Sequence, residues 1–228
     1  MFLLTNRRSV MLLLSLLATF VVAACVPQPV APGASVAPAL AAAADVAASA
    51  RSFQIDQSKS EARFTLNEKL MGAPKTVVGT TALVSGTITV DPADVSKTTI
   101  SPLQIDARDF TTDSSMRNGA IRRFVLESNK DEYRYITFTP TAIEGLPATA
   151  KAGDAFSLQV TGDLKIRDVV NPATFAVNVT VNSENELSGS AKTTITRTAY
   201  QLNIPSVPSV ADVTDEVQLE LAFVALAP

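Results

Sequence analysis

From Ser52 onward, apolar residues recur at every second position, and this period of two constrains the fold more than any other feature of the sequence. Phe175, Val177, Val179 and Val181 alternate with Ala176, Asn178 and Thr180. Successive side chains of an extended chain point to opposite faces, so such a run is a strand with one apolar and one wet face. The same alternation links Phe156, Leu158, Val160, Leu164 and Ile166, and later Val217, Leu219, Leu221 and Phe223. Further strands are predicted over residues 53–55, 62–66, 82–90, 98–107, 136–141 and 188–197. Turn signals separate them at Asp91-Pro92, Glu144-Gly145, Gly153-Asp154, Asn171-Pro172 and from Asn182 to Asn185. About eight strands with short connections predict an all-β domain, an antiparallel barrel or sandwich. Residues 113–129 break the pattern. Met116, Ala120, Ile121 and Phe124 stand at helical spacing there, which predicts one or two short helices beside the sheet.

The chain ahead of this domain has a different character. Arg7 and Arg8 precede a 15-residue apolar run from Val10 to Ala24, interrupted by Ser15 and Thr19. A basic start, a short apolar stretch and small residues before a cleavage point predict a secretory signal over residues 1–24. A bilayer span needs about 20 apolar residues. Arg7-Arg8 also raises twin-arginine export, although the flanking residues fit that pattern poorly and favour ordinary secretion. From Val26 to Ala50 there are four Pro and eleven Ala, with Asp45 the only charge. Such a stretch has nothing with which to form a core, so residues 25–51 read as a linker, and the folded domain is expected over residues 52–228. The roughly 175 residues from Ser52 onward are enough for one all-β domain with its own core.

Composition excludes much of the familiar chemistry. The chain has no His and one Cys, which rules out a His-assisted triad, a His-ligated metal and an internal disulfide. Taking Arg7 and Arg8 from the 19 basic residues leaves 17 against 22 acidic ones, a net charge of −5 for the processed chain. No basic cluster marks the body, which argues against a nucleic-acid partner. A hydroxyl nucleophile would lack a neighbouring base, and the carboxylates fall mostly at turns and on polar strand faces. Asp91 and Asp94 lie close together in a Pro turn but have no third ligand for Ca²⁺. The chain therefore reads as a non-enzyme without cofactor or metal.

Two resemblances carry the functional expectation. Val22-Ala23-Ala24-Cys25 resembles the bacterial lipobox, which implies lipidation of Cys25 and an exported protein anchored in the cell envelope, facing periplasm or exterior. The alternatives are an uncleaved membrane anchor and an incidental Cys in a plain signal peptide. Four ordered stretches of the body are similar to the YceI-like family of exported lipid-binding proteins. They are Phe53-Gln-Ile-Asp56 with Ser60–Phe64, Val77–Thr81 and Val84-Ser-Gly86; Thr112–Arg117 leading to Tyr133–Phe138; Val160–Arg167 with Asn171–Phe175; and Thr194–Ile204 followed by Asp215–Leu221. Asn118 stands where the family often has Asp and Arg134 where it often has Pro, and the family's frequent His residues are missing.

The resemblance implies a lipocalin-like barrel holding a long isoprenoid or similar lipid. On that reading Phe64, Phe138, Phe156 and Phe175 line its apolar interior, each on the apolar side of its strand. Arg117 and Arg197, on which family motifs fall, would meet the polar end of the ligand; Arg also suits phosphate through its planar fork of donors. The structural alternatives are a dry packed core for the Phe residues and a salt bridge from Arg117 to Asp113. The competing function class is a ligand-free structural or adhesive domain on the cell surface, with a hydrolase a distant third.

The lipobox-like end of the leader yields the first prediction. Cys25→Ser is expected to leave the protein soluble or uncleaved, whereas the wild type partitions into detergent and takes up labelled palmitate. Failure of the label to enter the wild type would remove the anchor.

Overall fold

A computed structural model describes residues 50–228. The leader, Cys25 and the linker as far as Ser49 lie outside the described residues. The strands are β1 (Arg51–Ile55), β2 (Glu61–Leu70), β3 (Ala73–Thr81), β4 (Val84–Ser85), β5 (Thr87–Val90), β6 (Thr99–Ile100), β7 (Leu103–Asp106), β8 (Tyr135–Glu144), β9 (Ala155–Ile166), β10 (Val169–Ser183), β11 (Glu186–Thr196), β12 (Val210–Ala211) and β13 (Glu216–Leu226). One α-helix, α1 (Ser115–Ala120), runs into a π-type turn over Ile121–Val125. All thirteen strands belong to one antiparallel sheet.

The shortest strands are pieces of longer, bent staves. β1 and β2 both lie along β13. β3, β4 and β5 follow one another along β2, β7 and β1. β6 and β7 form the next stave, pairing with β5 and β4 on one side, and β7 pairs with β8 on the other. From β8 the ladder runs through β9, β10 and β11 to β13 and so back to its start. The expectation of about eight strands matches the eight staves of this barrel, while bends raise the number of strand segments to thirteen. A sheet returning on itself leaves few edges unpaired and encloses an inner face.

Stave direction gives the barrel two unlike poles. At the terminal pole, the Arg51 guanidinium donates to the Glu184 carbonyl at 2.8 Å and the Ala227 amide to the Asn185 carbonyl at 2.9 Å. Both ends of the described barrel therefore meet the β10–β11 turn. The helical pole carries α1, the β2–β3 and β9–β10 turns and the connection over residues 197–215.

Two sequence readings need correction. β3 was not among the predicted strands, because its inward positions are Val77, Gly79 and Thr81, a weak apolar signal. The turn expected at Asn171-Pro172 lies instead at Arg167-Asp168, and both expected turn residues belong to β10, opposite Leu164 and Asp163. Ile166 and Val169 close the turn as a bonded pair, so every second residue of β10, Pro172 included, turns its nitrogen away from β9. β11 joins β10 only from Ala176, so the missing N–H of Pro172 breaks no ladder bond. The expected helix forms, with Met116 exposed on it; in the turn that follows, Ile121 is buried and Phe124 exposed.

Gly79, Gly162 and Gly189 make room for the rings of Phe64, Phe138 and Phe223 inside the barrel. Gly79 faces Phe64 across the β2–β3 ladder, and a Cβ there would lie 2.2 Å from the ring. At Gly162 a Cβ would meet the Thr139 carbonyl at 2.4 Å and the Phe138 ring at 2.8 Å. Since the first of these neighbours is backbone, Gly162→Ala is expected to cost about 1–3 kcal/mol through overpacking. Gly119→Ala, in α1 with open space around it, is expected to be neutral or to stabilise by up to about 1 kcal/mol. Urea midpoints measure both, and equal midpoints would contradict the close-approach argument.

Candidate ligand-binding site

The inner face of the barrel is only partly filled. Phe64, Phe156, Phe175, Val179 and Leu219 pack against the buried core yet keep appreciable accessible surface, because one side of each faces a void. The void has an inner chamber of about 190 Å³ and an outer chamber of about 530 Å³. Phe64, Phe110, Ile136, Ile166 and Leu219 belong to the walls of both, so the chambers adjoin. Phe64 and Phe110 stand edge to face across 5.3 Å in the wall they share. Deeper inside, Phe138 and Phe175 make a second edge-to-face pair at 4.8 Å. All four Phe residues singled out from alternation thus stand on the wall of the inner chamber, and Phe64 reaches both.

The outer chamber lies at the helical pole, between α1, the end of β2 and the 202–210 segment. Here the wall becomes polar. Arg117, from α1, donates to Glu68 Oε1 at 2.8 Å and also pairs with Asp113. Lys75 Nζ reaches the other Asp113 oxygen at 2.7 Å. The Glu68 side chain is only 6 % exposed, and removing one partner of a buried ion pair typically costs ~3–5 kcal/mol. The salt bridge weighed for Arg117 therefore exists, and a second, more buried one accompanies it. Glu68 escaped the sequence reading although the signal was present. Continuing the period of Ala62, Phe64 and Leu66 puts this acid on the apolar face, where a charge requires a cation.

Arg197 is held differently. Its guanidinium donates to the carbonyls of Thr214 at 2.8 Å, Leu202 at 3.2 Å and Val213 at 3.2 Å. One side chain thereby ties the end of β11 to the long connection that walls the outer chamber. Beside it, Asp215 accepts from the Thr198 amide and hydroxyl, which lowers its pKa. The departures at Asn118 and Arg134 are absorbed locally. Asn118 Oδ1 accepts from the Thr112 amide at 2.8 Å and hydroxyl at 2.7 Å, and Arg134 pairs with the buried carboxylate of Asp106 at 2.8 Å. Asp91 and Asp94 act as acceptors within their own turn. Among the described residues no cluster of three or more His, Cys, Asp or Glu could hold a metal ion.

The Lys75 hydrogen bond, and then the Arg117 charge, hold the Asp113 carboxyl below its ordinary value of 3.8. A depressed folded value means that the stabilisation is complete above the ordinary value and drains away as pH falls through the depressed one. Asp113→Asn is accordingly expected to lower the denaturation midpoint at pH 7, with the difference from wild type vanishing in strong acid. A difference constant with pH would show that charge is not its source.

Comparison with known proteins follows from this geometry. A family model described as a YceI-like domain matches residues 53–225. Among solved structures, a polyisoprenoid binding domain from Saccharophagus degradans, implicated in plant cell wall breakdown, aligns with a TM-score of 0.60 and 19 % identity, over 77 % of this chain and 98 % of that one. BcnA from Burkholderia cenocepacia aligns with a TM-score of 0.57 and 24 % identity, over 75 % of this chain and 98 % of its own. No curated protein matches the chain.

Proposed function

We infer that this chain, which belongs to the YceI-like domain family, binds a long apolar lipid of the isoprenoid class inside its barrel. The observation that carries the reading is the partly filled interior, lined by Phe, Ile, Leu and Val and adjoining a chamber with charged residues in its wall. A prenyl chain matches the apolar lining of the inner chamber, and its polar end would rest in the outer chamber near Arg197 and Arg117. The description of the Saccharophagus relative as polyisoprenoid-binding supports the same ligand class.

Magnitudes allow it. Burying about 500 Å² of a prenyl tail contributes roughly 12 kcal/mol at ~25 cal/mol per Å². Association and ordering cost ~4–15 kcal/mol, so the affinity is useful yet finite, as a carrier that must release its lipid requires. The leader and the lipobox-like Cys25 add the second half of the proposal: an exported binding protein held at a membrane of the cell envelope by its acylated end. Each buried methylene contributes about 0.8 kcal/mol, so two or three acyl chains hold firmly where one would not. In this reading the barrel is a binding protein without catalytic chemistry.

Solvent extraction of the purified protein followed by mass spectrometry is expected to release a prenyl-type lipid. Phe156→Trp, which narrows the inner chamber while keeping it apolar, is expected to weaken binding of a long prenyl chain with the unfolding midpoint held. Lipid-free extracts, together with Trp variants at 64, 138, 156 and 175 that all destabilise the fold, would mean a packed interior. The chain would then be a ligand-free structural or adhesive domain.

A further inference from the structure

Exposed apolar side chains collect around the opening of the outer chamber. Met116 is 85 % exposed, Phe124 57 % and Val207 42 %, yet all three also line that chamber, so they form its rim. Met71 joins them in the β2–β3 turn, directly after Leu70 of the chamber wall, and is likewise 85 % exposed. It holds a left-handed φ of 50°, a conformation that Gly or Asn would adopt at less cost. A strained turn that presents a long thioether to the outside is an observation in want of a use.

Charge marks the same rim. Arg122 and Arg123 immediately precede Phe124. Arg122 donates only to the Arg108 carbonyl, and neither has a carboxylate partner among the described residues. The acidic residues flanking this segment in sequence are already engaged, Asp113 by Lys75 and Arg117, and Glu127 by Lys130 and Arg167. The segment thus offers free positive charge beside exposed apolar groups, the combination that seats a peripheral protein at an anionic lipid surface.

We propose that the helical pole docks on an anionic phospholipid bilayer, with Met71, Met116, Phe124 and Val207 inserted at the level of the headgroups and Arg122 and Arg123 on phosphates. The proposal rests on the lipid-carrier reading for its purpose: a docked rim makes the outer chamber continuous with the leaflet, so a prenyl tail enters without crossing water. Docking itself is a separate property and is tested separately.

The chain contains no Trp, so one introduced residue is a unique fluorophore even in the full-length protein. Phe124→Trp in the full chain, mixed with vesicles of brominated phosphatidylcholine and phosphatidylglycerol, is expected to shift its emission to the blue and lose intensity. Val78→Trp, on the outer wall of β3 and away from the rim, is expected to keep its emission under the same conditions. Because a membrane-held chain would bring both positions near vesicles, the contrast between them is the readout. Met116→Trp repeats the test should position 124 perturb folding, and Arg123→Glu in the Phe124→Trp background is expected to reduce the quenching. Equal quenching at positions 124 and 78, or none at 124, would overturn the proposal. A blue shift without vesicles that grows with protein concentration would assign the rim to contact between two copies and overturn it as well. Quenching at 124 from a protein whose extracts carry no lipid supports docking while sinking the carrier reading; lipid in the extracts without quenching does the reverse.

Discussion

Backbone hydrogen bonds between neighbouring staves carry this barrel, because its middle is not full. In most domains of this size the interior is close-packed, and dispersion contacts among core side chains supply much of the cohesion. Here the ring is closed by ladders: eleven paired residues between β11 and β13, and twelve between β9 and β10. Those long ladders allow Phe156 and Phe175 to face a void without loss of the fold. Close packing is spread along the wall: Ala107 and Ser128 are fully buried, with the Ser128 hydroxyl donating to the Ala107 carbonyl, and Val84 and Ala225 are fully buried as well.

The two arginines at the helical pole illustrate how one residue type can perform unlike work. Arg117 is balanced by Glu68 and Asp113, and with Lys75 the four charges sum to zero, so α1 is fastened to β2 and β3 without a strong local field. Arg197 donates only to carbonyl oxygens, and the carboxylate beside it, Asp215, is hydrogen-bonded to Thr198. Of the two, Arg197 is the one without a direct ion pair.

Much of this was legible in the sequence, for a reason that also explains the failures. β9, β10 and β13 alternate cleanly because one face is wet and the other sees only the interior, so Phe156 and Phe175 could be assigned to the inside. β3 was hidden because Gly79 cedes its space to Phe64: the volume belongs to the pair, and a single strand does not record it. The β9–β10 turn was hidden because Arg167 is no turn former. Its left-handed φ of 55° is held from outside by Glu127, the Val125 carbonyl and the Tyr133 ring. Alternation likewise identifies which side chains point inward but not whether atoms or a void await them, so chamber and core read alike until the staves are closed.

The meeting of both barrel ends at the β10–β11 turn has a consequence for how such a domain can be joined to other things. Arg51 and Ala227 touch Glu184 and Asn185, so the two ends are near neighbours in space. A short bridge between them, with the chain reopened at another exposed turn of the terminal pole such as the one around Gly153, would preserve every stave and every ladder. Fusions at either end likewise emerge beside one another and well away from α1. The barrel is in this sense a plug-in module: all its wiring enters from one side, and the opposite side is left free to face whatever it serves.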